Sequence, residues 1–133
     1  MRKIEHIGIA VRDLAASNTL FEKLFGEPPY KLEEVASEGV RTSFFRSGPN
    51  KIELLEATRE DSPIAKFLEK RGPGLHHVAY RVADLQATLA ALQSAGVKLI
   101  DESPRPGAHG MQIAFAHPKS TGGVLLEFCQ AVV

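Results

Sequence analysis

His6-Ile7-Gly8-Ile9-Ala10-Val11-Arg12-Asp13-Leu14 and His77-Val78-Ala79-Tyr80-Arg81-Val82-Ala83-Asp84-Leu85 are two versions of one segment, 71 residues apart. His6 matches His77, Val11 matches Val82, Asp13 matches Asp84 and Leu14 matches Leu85. Similarity at a fixed offset marks a duplicated structural unit, and a duplicated unit too small to bury its own core must pack against its copy. The alternation within each segment is that of a strand. Each segment then runs into a helical pattern. Asp13 is the N-cap of the first helix, Leu14, Phe21, Leu24 and Phe25 share a face, and Gly26 stands just past the end. In the second copy Asp84 is the cap, Leu85, Leu89 and Leu92 share the face, and Gly96 is the stop.

The copies also end alike. Asn50-Lys51-Ile52-Glu53-Leu54-Leu55 closes the first and Val124-Leu125-Leu126-Glu127-Phe128-Cys129 the second, now 74 residues apart. Each copy therefore reads strand, helix, three strands. The three strands are expected near 30–36, 40–47 and 50–57, and again near 97–101, 110–116 and 122–130. Ser62 as N-cap and Pro63 at the first helical position predict a short helix between the copies. The fold class is α+β: one domain over 1–133, with a βαβββ module over about 1–58, a linker helix over about 59–73 and a second module over about 74–133. The two modules are expected to pack as one curved, mixed sheet with pseudo-twofold symmetry.

Composition narrows the function. Sixteen Lys and Arg balance sixteen Asp and Glu, which argues against a nucleic-acid binder. A single cysteine excludes an internal disulfide framework and a multi-cysteine zinc knuckle, and fits a reducing compartment. The start of the sequence lacks the apolar stretch and cleavage site of a signal peptide, and no segment is apolar enough to span a bilayer. A cytoplasmic protein with no membrane partner is expected.

The polar residues of the repeat carry the chemistry. Along the first strand His6 shares a face with Gly8 and Ala10, while Ile7, Ile9 and Val11 turn toward the helix. His77 shares a face with Ala79, while Val78, Tyr80 and Val82 face the other way. Glu53 and Glu127 lie mid-strand among Ile and Leu, where an ionised carboxylate requires a partner. A twofold between the copies turns His6 and Glu53 toward His77 and Glu127. Two imidazoles and two carboxylates then make a divalent metal site with positions left open for water or substrate. His76 points away from its neighbour and is expected to pack. His109 and His117 lie in turn-rich loops, where either substrate contact or plain exposure is expected. Cys129 is expected to pack.

These residues resemble the vicinal-oxygen-chelate (glyoxalase/bleomycin-resistance) superfamily, and the resemblance covers the whole chain. It implies paired βαβββ modules forming an open cup around a divalent metal. Arg59 to Leu68, Gly74-Leu75-His76-His77, Gly107-Ala108-His109-Gly110, and His117-Pro118-Lys119 followed by Gly123 to Glu127 look like the methylmalonyl-CoA epimerases within it. By this resemblance His6, Glu53, His77 and Glu127 hold the metal, with Co, Mn, Ni and Zn all acceptable to such a set. The implied reaction interconverts the (2R) and (2S) forms of methylmalonyl-CoA by proton abstraction at C2 through a metal-stabilised enolate. A homodimer is also implied. Some epimerases carry Gln at the second ligand position and a separate Glu base on the preceding strand. Here the ligand position is Glu53, and Thr42 stands where that base would be. Glu127 and Glu53 are therefore expected as the two bases, with a one-base route or a water relay as alternatives. Lys119 and Arg105 are candidates for the CoA phosphates or the substrate carboxylate, and His109 for a substrate contact. A lactoylglutathione lyase of the glyoxalase I type, and a non-catalytic drug-binding protein of the same fold, are the competing readings.

Overall fold

The computed structural model describes residues 3–132. Met1 and Arg2, the first residues of the segment read for a leader, lie outside them. The chain divides into two compact units. One is His6–His76, and the other joins residues 3–5 to residues 77–132.

β1 (Lys3–Ala10), which belongs to the first unit from His6 on, leads into α1 (Leu14–Phe25), then β2 (Lys31–Val35), β3 (Val40–Ser47) and β4 (Asn50–Ala57), followed by α2 (Pro63–Arg71). β1 runs parallel to β4, whereas β2–β3 and β3–β4 are antiparallel, so the strand order is β2-β3-β4-β1. The second unit repeats the plan. β5 (Gly74–Arg81), which belongs to this unit from His77 on, and α3 (Leu85–Ser94) precede β6 (Arg105–Pro106), β7 (Gln112–Ala116) and β8 (Leu126–Gln130). β5 is parallel to β8, and β8–β7 and β7–β6 are antiparallel. Mixed pairing follows from a strand–helix–strand crossover combined with short hairpins.

The duplication extends to the capping contacts. Asp13 accepts from Ala16 N–H at 3.0 Å, and Asp84 accepts from Ala87 N–H at 3.0 Å. The next orphan donor is met from the last strand each time. Leu14 N–H donates to Glu56 Oε2 at 2.8 Å, and Leu85 N–H donates to Gln130 Oε1 at 2.7 Å. Each bond satisfies a first-turn amide that has no partner inside its helix.

Val11, Leu14, Phe45 and Leu54 pack between α1 and one sheet face. Leu85, Leu89, Ala114, Ala116 and Phe128 do the same under α3. The expected α1 face holds for Leu14 and Phe21, but Leu24 and Phe25 are 64% and 42% exposed. Both lie at the helix end, although the Phe25 ring still meets Phe45 of β3 edge-on at 5.7 Å. α2 lies on the opposite face of the first sheet, where Ile64 and Leu68 cover Ala10, Val40 and Leu55. Its start is fixed by Ser62, which accepts from Ala65 N–H at 3.1 Å. Arg59 ties the approach to α2 to the turn before β3 by donating to Ala36 O at 2.6 Å and pairing with Asp61 at 2.7 Å. Gly39 sits beneath it at φ +65°, and a Cβ there would lie 2.7 Å from Ser62 Cβ. This contact accounts for part of the Arg59–Leu68 motif on structural grounds.

Two expectations about the second module need correction. No strand forms over 97–101. Leu99 makes an isolated bridge to Ala116, and the strand that pairs with β7 is displaced to Arg105–Pro106. A side chain replaces part of the ladder: Asp101 accepts from Phe115 N–H at 2.8 Å and from Arg105 Nε at 2.8 Å. Pro104 and Pro106 cannot donate, so they confine β6 to two residues. The last strand begins at Leu126, not near 122, because Gly122 and Gly123 adopt φ of +75° and +97°.

Candidate active site

In the first unit His6 projects from the middle of β1 and Glu53 from the middle of β4. The parallel register sets Gly8 beside Glu53 and His6 beside Lys51. Cross-strand partners share a face, so the side chain missing at Gly8 leaves room between His6 and Glu53. His6 Nε2 lies 3.3 Å from Glu53 Oε1, and the residues are only 7% and 4% exposed. Phe44, opposite Glu53 across the antiparallel ladder, walls the carboxylate.

The second unit builds the same pair independently. Ala79 takes the place of Gly8 beside Glu127, and Phe115 takes the place of Phe44 across the ladder. His77 Nε2 lies 3.3 Å from Glu127 Oε1, with both residues buried. The Phe115 ring meets His77 edge-on at 5.8 Å. The two phenylalanines share the 71-residue offset of the histidines, a signal the sequence carried without its being used. Glu5, 4% exposed, is a further buried acid that sequence reasoning did not single out.

An imidazole and a carboxylate side by side under apolar walls are suited to two uses. Neutral imidazole nitrogen and carboxylate oxygen are hard-to-borderline donors for a divalent ion. The same carboxylate, shielded from water, is suited to exchanging a proton with carbon. Thr42 is fully buried, and its hydroxyl donates to Glu33 O at 3.2 Å, so its proton is held by the sheet.

The remaining candidates occupy different settings. Arg105 donates to Asp101, and its guanidinium carbon lies 5.5 Å from the centre of the Phe115 ring, which joins it to the His77–Glu127 pair. His109 takes φ +59°, ψ +23°, a left-handed conformation unusual for a side chain with a Cβ, in the turn before β7. His117 caps the turn Pro118–Ser120, its Nδ1 accepting from Lys119 N–H at 3.1 Å. Lys119 itself is exposed. His76 packs edge-on against Phe67 of α2 at 4.9 Å, and burial lowers its pKa from 6.5 to about 4. Cys129 is buried with Met111 and Ile113. Both act as packing residues. Among the described residues no helix is long and apolar enough to cross a membrane.

Comparison with known proteins places this geometry. Residues 5–115 match the model of the Glyoxalase/Bleomycin resistance protein/Dioxygenase superfamily. An uncharacterized Bacillus subtilis (strain 168) protein, YqjC, is 42% identical over 130 residues, covering 98% of this chain and 93% of the relative. The ethylmalonyl-CoA/methylmalonyl-CoA epimerase of Cereibacter sphaeroides is 37% identical over 130 residues, covering 96% and 97%. A solved methylmalonyl-CoA epimerase, in complex with methylmalonyl-CoA and NH4+, superposes with a TM-score of 0.93 at 35% identity, covering 100% and 96%. The chain belongs to the Glyoxalase/Bleomycin resistance protein/Dioxygenase superfamily, in the branch that holds the methylmalonyl-CoA epimerases.

Proposed function

We propose that this chain is a metal-dependent epimerase that interconverts the (2R) and (2S) forms of methylmalonyl-CoA, and that it does so as a cytoplasmic homodimer. The observation that carries the reading is the repeated, buried His–Glu pair, 3.3 Å in each module, on a family scaffold whose similar members include epimerases. His6, Glu53, His77 and Glu127 would hold one divalent ion. His6, His77 and Glu127 are of the donor types that do so, and Co, Mn, Ni and Zn all suit two imidazoles and two carboxylates. When bound, the ion supplies Lewis-acid stabilisation of the negative charge that develops on the substrate oxygens.

The proton transfers fall to the two carboxylates. One of Glu127 and Glu53 takes the C2 proton as the C–H bond breaks, leaving an enolate. The other, which starts the turnover protonated, gives its proton to the opposite face of the enolate and is left ionised, so the two carboxylates have exchanged protonation states and the reverse reaction runs the same way. Thr42 does not take part as a base, since a neutral hydroxyl bonded to Glu33 O is far too weak a proton acceptor. Phe44 and Phe115 keep water from the carboxylates. Arg105, close to Phe115, would receive the free carboxylate of the substrate, with His109 and Lys119 reaching it from their loops.

Solvent deuterium exchange tests the proposal. Incubation in D2O should place deuterium at C2 of methylmalonyl-CoA and leave the methylglyoxal–glutathione hemithioacetal unconverted. Conversion of the hemithioacetal with no exchange in the CoA ester would favour the glyoxalase-type lyase, and inertness toward both would favour a binding protein.

A further inference from the structure

We infer that Arg46 and Lys51, assisted by Lys31, form the anionic-tail subsite of the first module, where the phosphate groups of the CoA portion dock. The inference rests on the CoA-ester reading above and deepens it.

It starts from the face that His6 shares with Glu53. Beside His6 in the next strand is Lys51, and opposite Lys51 is Arg46. Two residues along, Glu53 is opposite Phe44, and Phe44 is opposite Lys31. Direct partners project to the same side of a sheet, so these three cations share the face of the metal-suited pair. Arg46 is held in place, its guanidinium carbon 4.1 Å from the centre of the Tyr30 ring. Lys31, on the neighbouring strand, pairs with Glu33 at 3.3 Å.

The other end of the same face is closed. Ala10, Val40 and Leu55 are buried under Ile64 and Leu68 of α2. A substrate whose reacting carbon lies at His6–Glu53 is blocked on the α2 side and leaves past Lys51 and Arg46. A CoA ester carries its phosphates at the end remote from the thioester, which is the end that would meet these cations. Arg46 adds a planar fork suited to two phosphate oxygens at once.

The repeat sharpens the assignment. The offsets of 74 and 71 carry Lys51 to Leu125 and Arg46 to His117 in the second module. His117 is already committed to the Lys119 amide. The basic end therefore exists in one module only, whereas the His–Glu pair exists in both.

Steady-state kinetics of the Arg46→Gln/Lys51→Gln double variant, on methylmalonyl-CoA and on methylmalonyl-pantetheine (which lacks the nucleotide phosphates), tests this. The CoA ester should show KM raised about tenfold or more, on the scale of one lost charge-assisted contact, with kcat within twofold. The pantetheine ester should be handled equally by variant and parent, which also reports that the variant is folded. The KM gap on the CoA ester should narrow as salt is raised. KM on the CoA ester within twofold of the parent, or equal losses on both esters, would overturn the inference. Failure of the parent on both esters would overturn the epimerase reading itself, and the subsite with it.

Discussion

Replacing Glu127 with Leu separates a group kept for its chemistry from one kept for the fold. Glu127 is 5% exposed, faces Phe115 across the ladder, and lies 3.3 Å from His77. An ionised carboxylate loses several kcal/mol of solvation there, which an ion pair recovers only in part. Leucine has similar volume and gains about 2 kcal/mol from full burial. No charge is stranded by the change, because a neutral imidazole carries none. The metal-free Glu127→Leu variant should therefore be as stable as the parent within about 1 kcal/mol, or more stable.

The metal-bound state should behave oppositely. An ion at a hundred times its Kd stabilises the parent by about 2.7 kcal/mol. For a chain of 133 residues the unfolding entropy is about 0.28 kcal/mol/K, so the parent's Tm should rise by about 10 °C. Loss of one donor should weaken binding at least the hundredfold that outer-shell changes can reach, leaving about 0.4 kcal/mol, or about 1.5 °C, at the same ion concentration. Urea unfolding in chelator gives the first quantity, and thermal melts with and without Co2+ give the second. A metal-induced shift equal to the parent's would show that Glu127 is no ligand. A loss of more than about 3 kcal/mol in chelator would show that its carboxylate belongs to the fold.

Two further perturbations probe the framework of the site. Asp101→Ala removes the acceptor for Phe115 N–H and the partner of Arg105, and should cost about 3 kcal/mol in urea unfolding; less than 1 kcal/mol would mean that water replaces the carboxylate. His76 takes a proton below pH 6.5 when unfolded but only below about 4 when folded, so protons favour the unfolded chain between those values. The parent's stability should accordingly fall by up to roughly 3 kcal/mol more than that of His76→Gln between pH 7 and pH 4 in chelator, and parallel pH profiles would contradict this.

Most of what positions the site was legible because it is local and repeated. Alternation marks β1 and β5, and Asp13, Asp84 and Ser62 announce their helices because a short side chain meets amides three residues on. The His–Glu pairs were legible because a carboxylate inside an apolar strand is costly alone and occurs twice. The region around 97–110 was not, since its ladder is completed by the Asp101 side chain from 14 residues away, which no periodicity encodes. The partners of the glutamates, Phe44 and Phe115, depend on register between strands, which local pattern leaves open. Arg59, read as part of a functional motif, is a brace for Gly39 and the α2 start, and that role needs three segments in place at once.

The way the two modules have diverged matches the demands of the proposed reaction. At C2 the two epimers differ only in which face carries the proton, so equivalent carboxylates, one from each module, suit removal and return from opposite faces. The rest of a CoA ester has no such symmetry, and a site that treated both directions alike could not hold it in one pose. The chain keeps His6–Glu53 and His77–Glu127 alike to the same 3.3 Å. It breaks the equivalence elsewhere. Thr42 corresponds to Ile113, Lys51 to Leu125, and Glu33, opposite Thr42, to Arg105, opposite Ile113. One module so acquires the cations suited to a polyanionic tail and the other a guanidinium suited to a free carboxylate. In the proposed reaction, unlike contacts at the two ends of the substrate would keep C2 in place while its proton is exchanged between like ones.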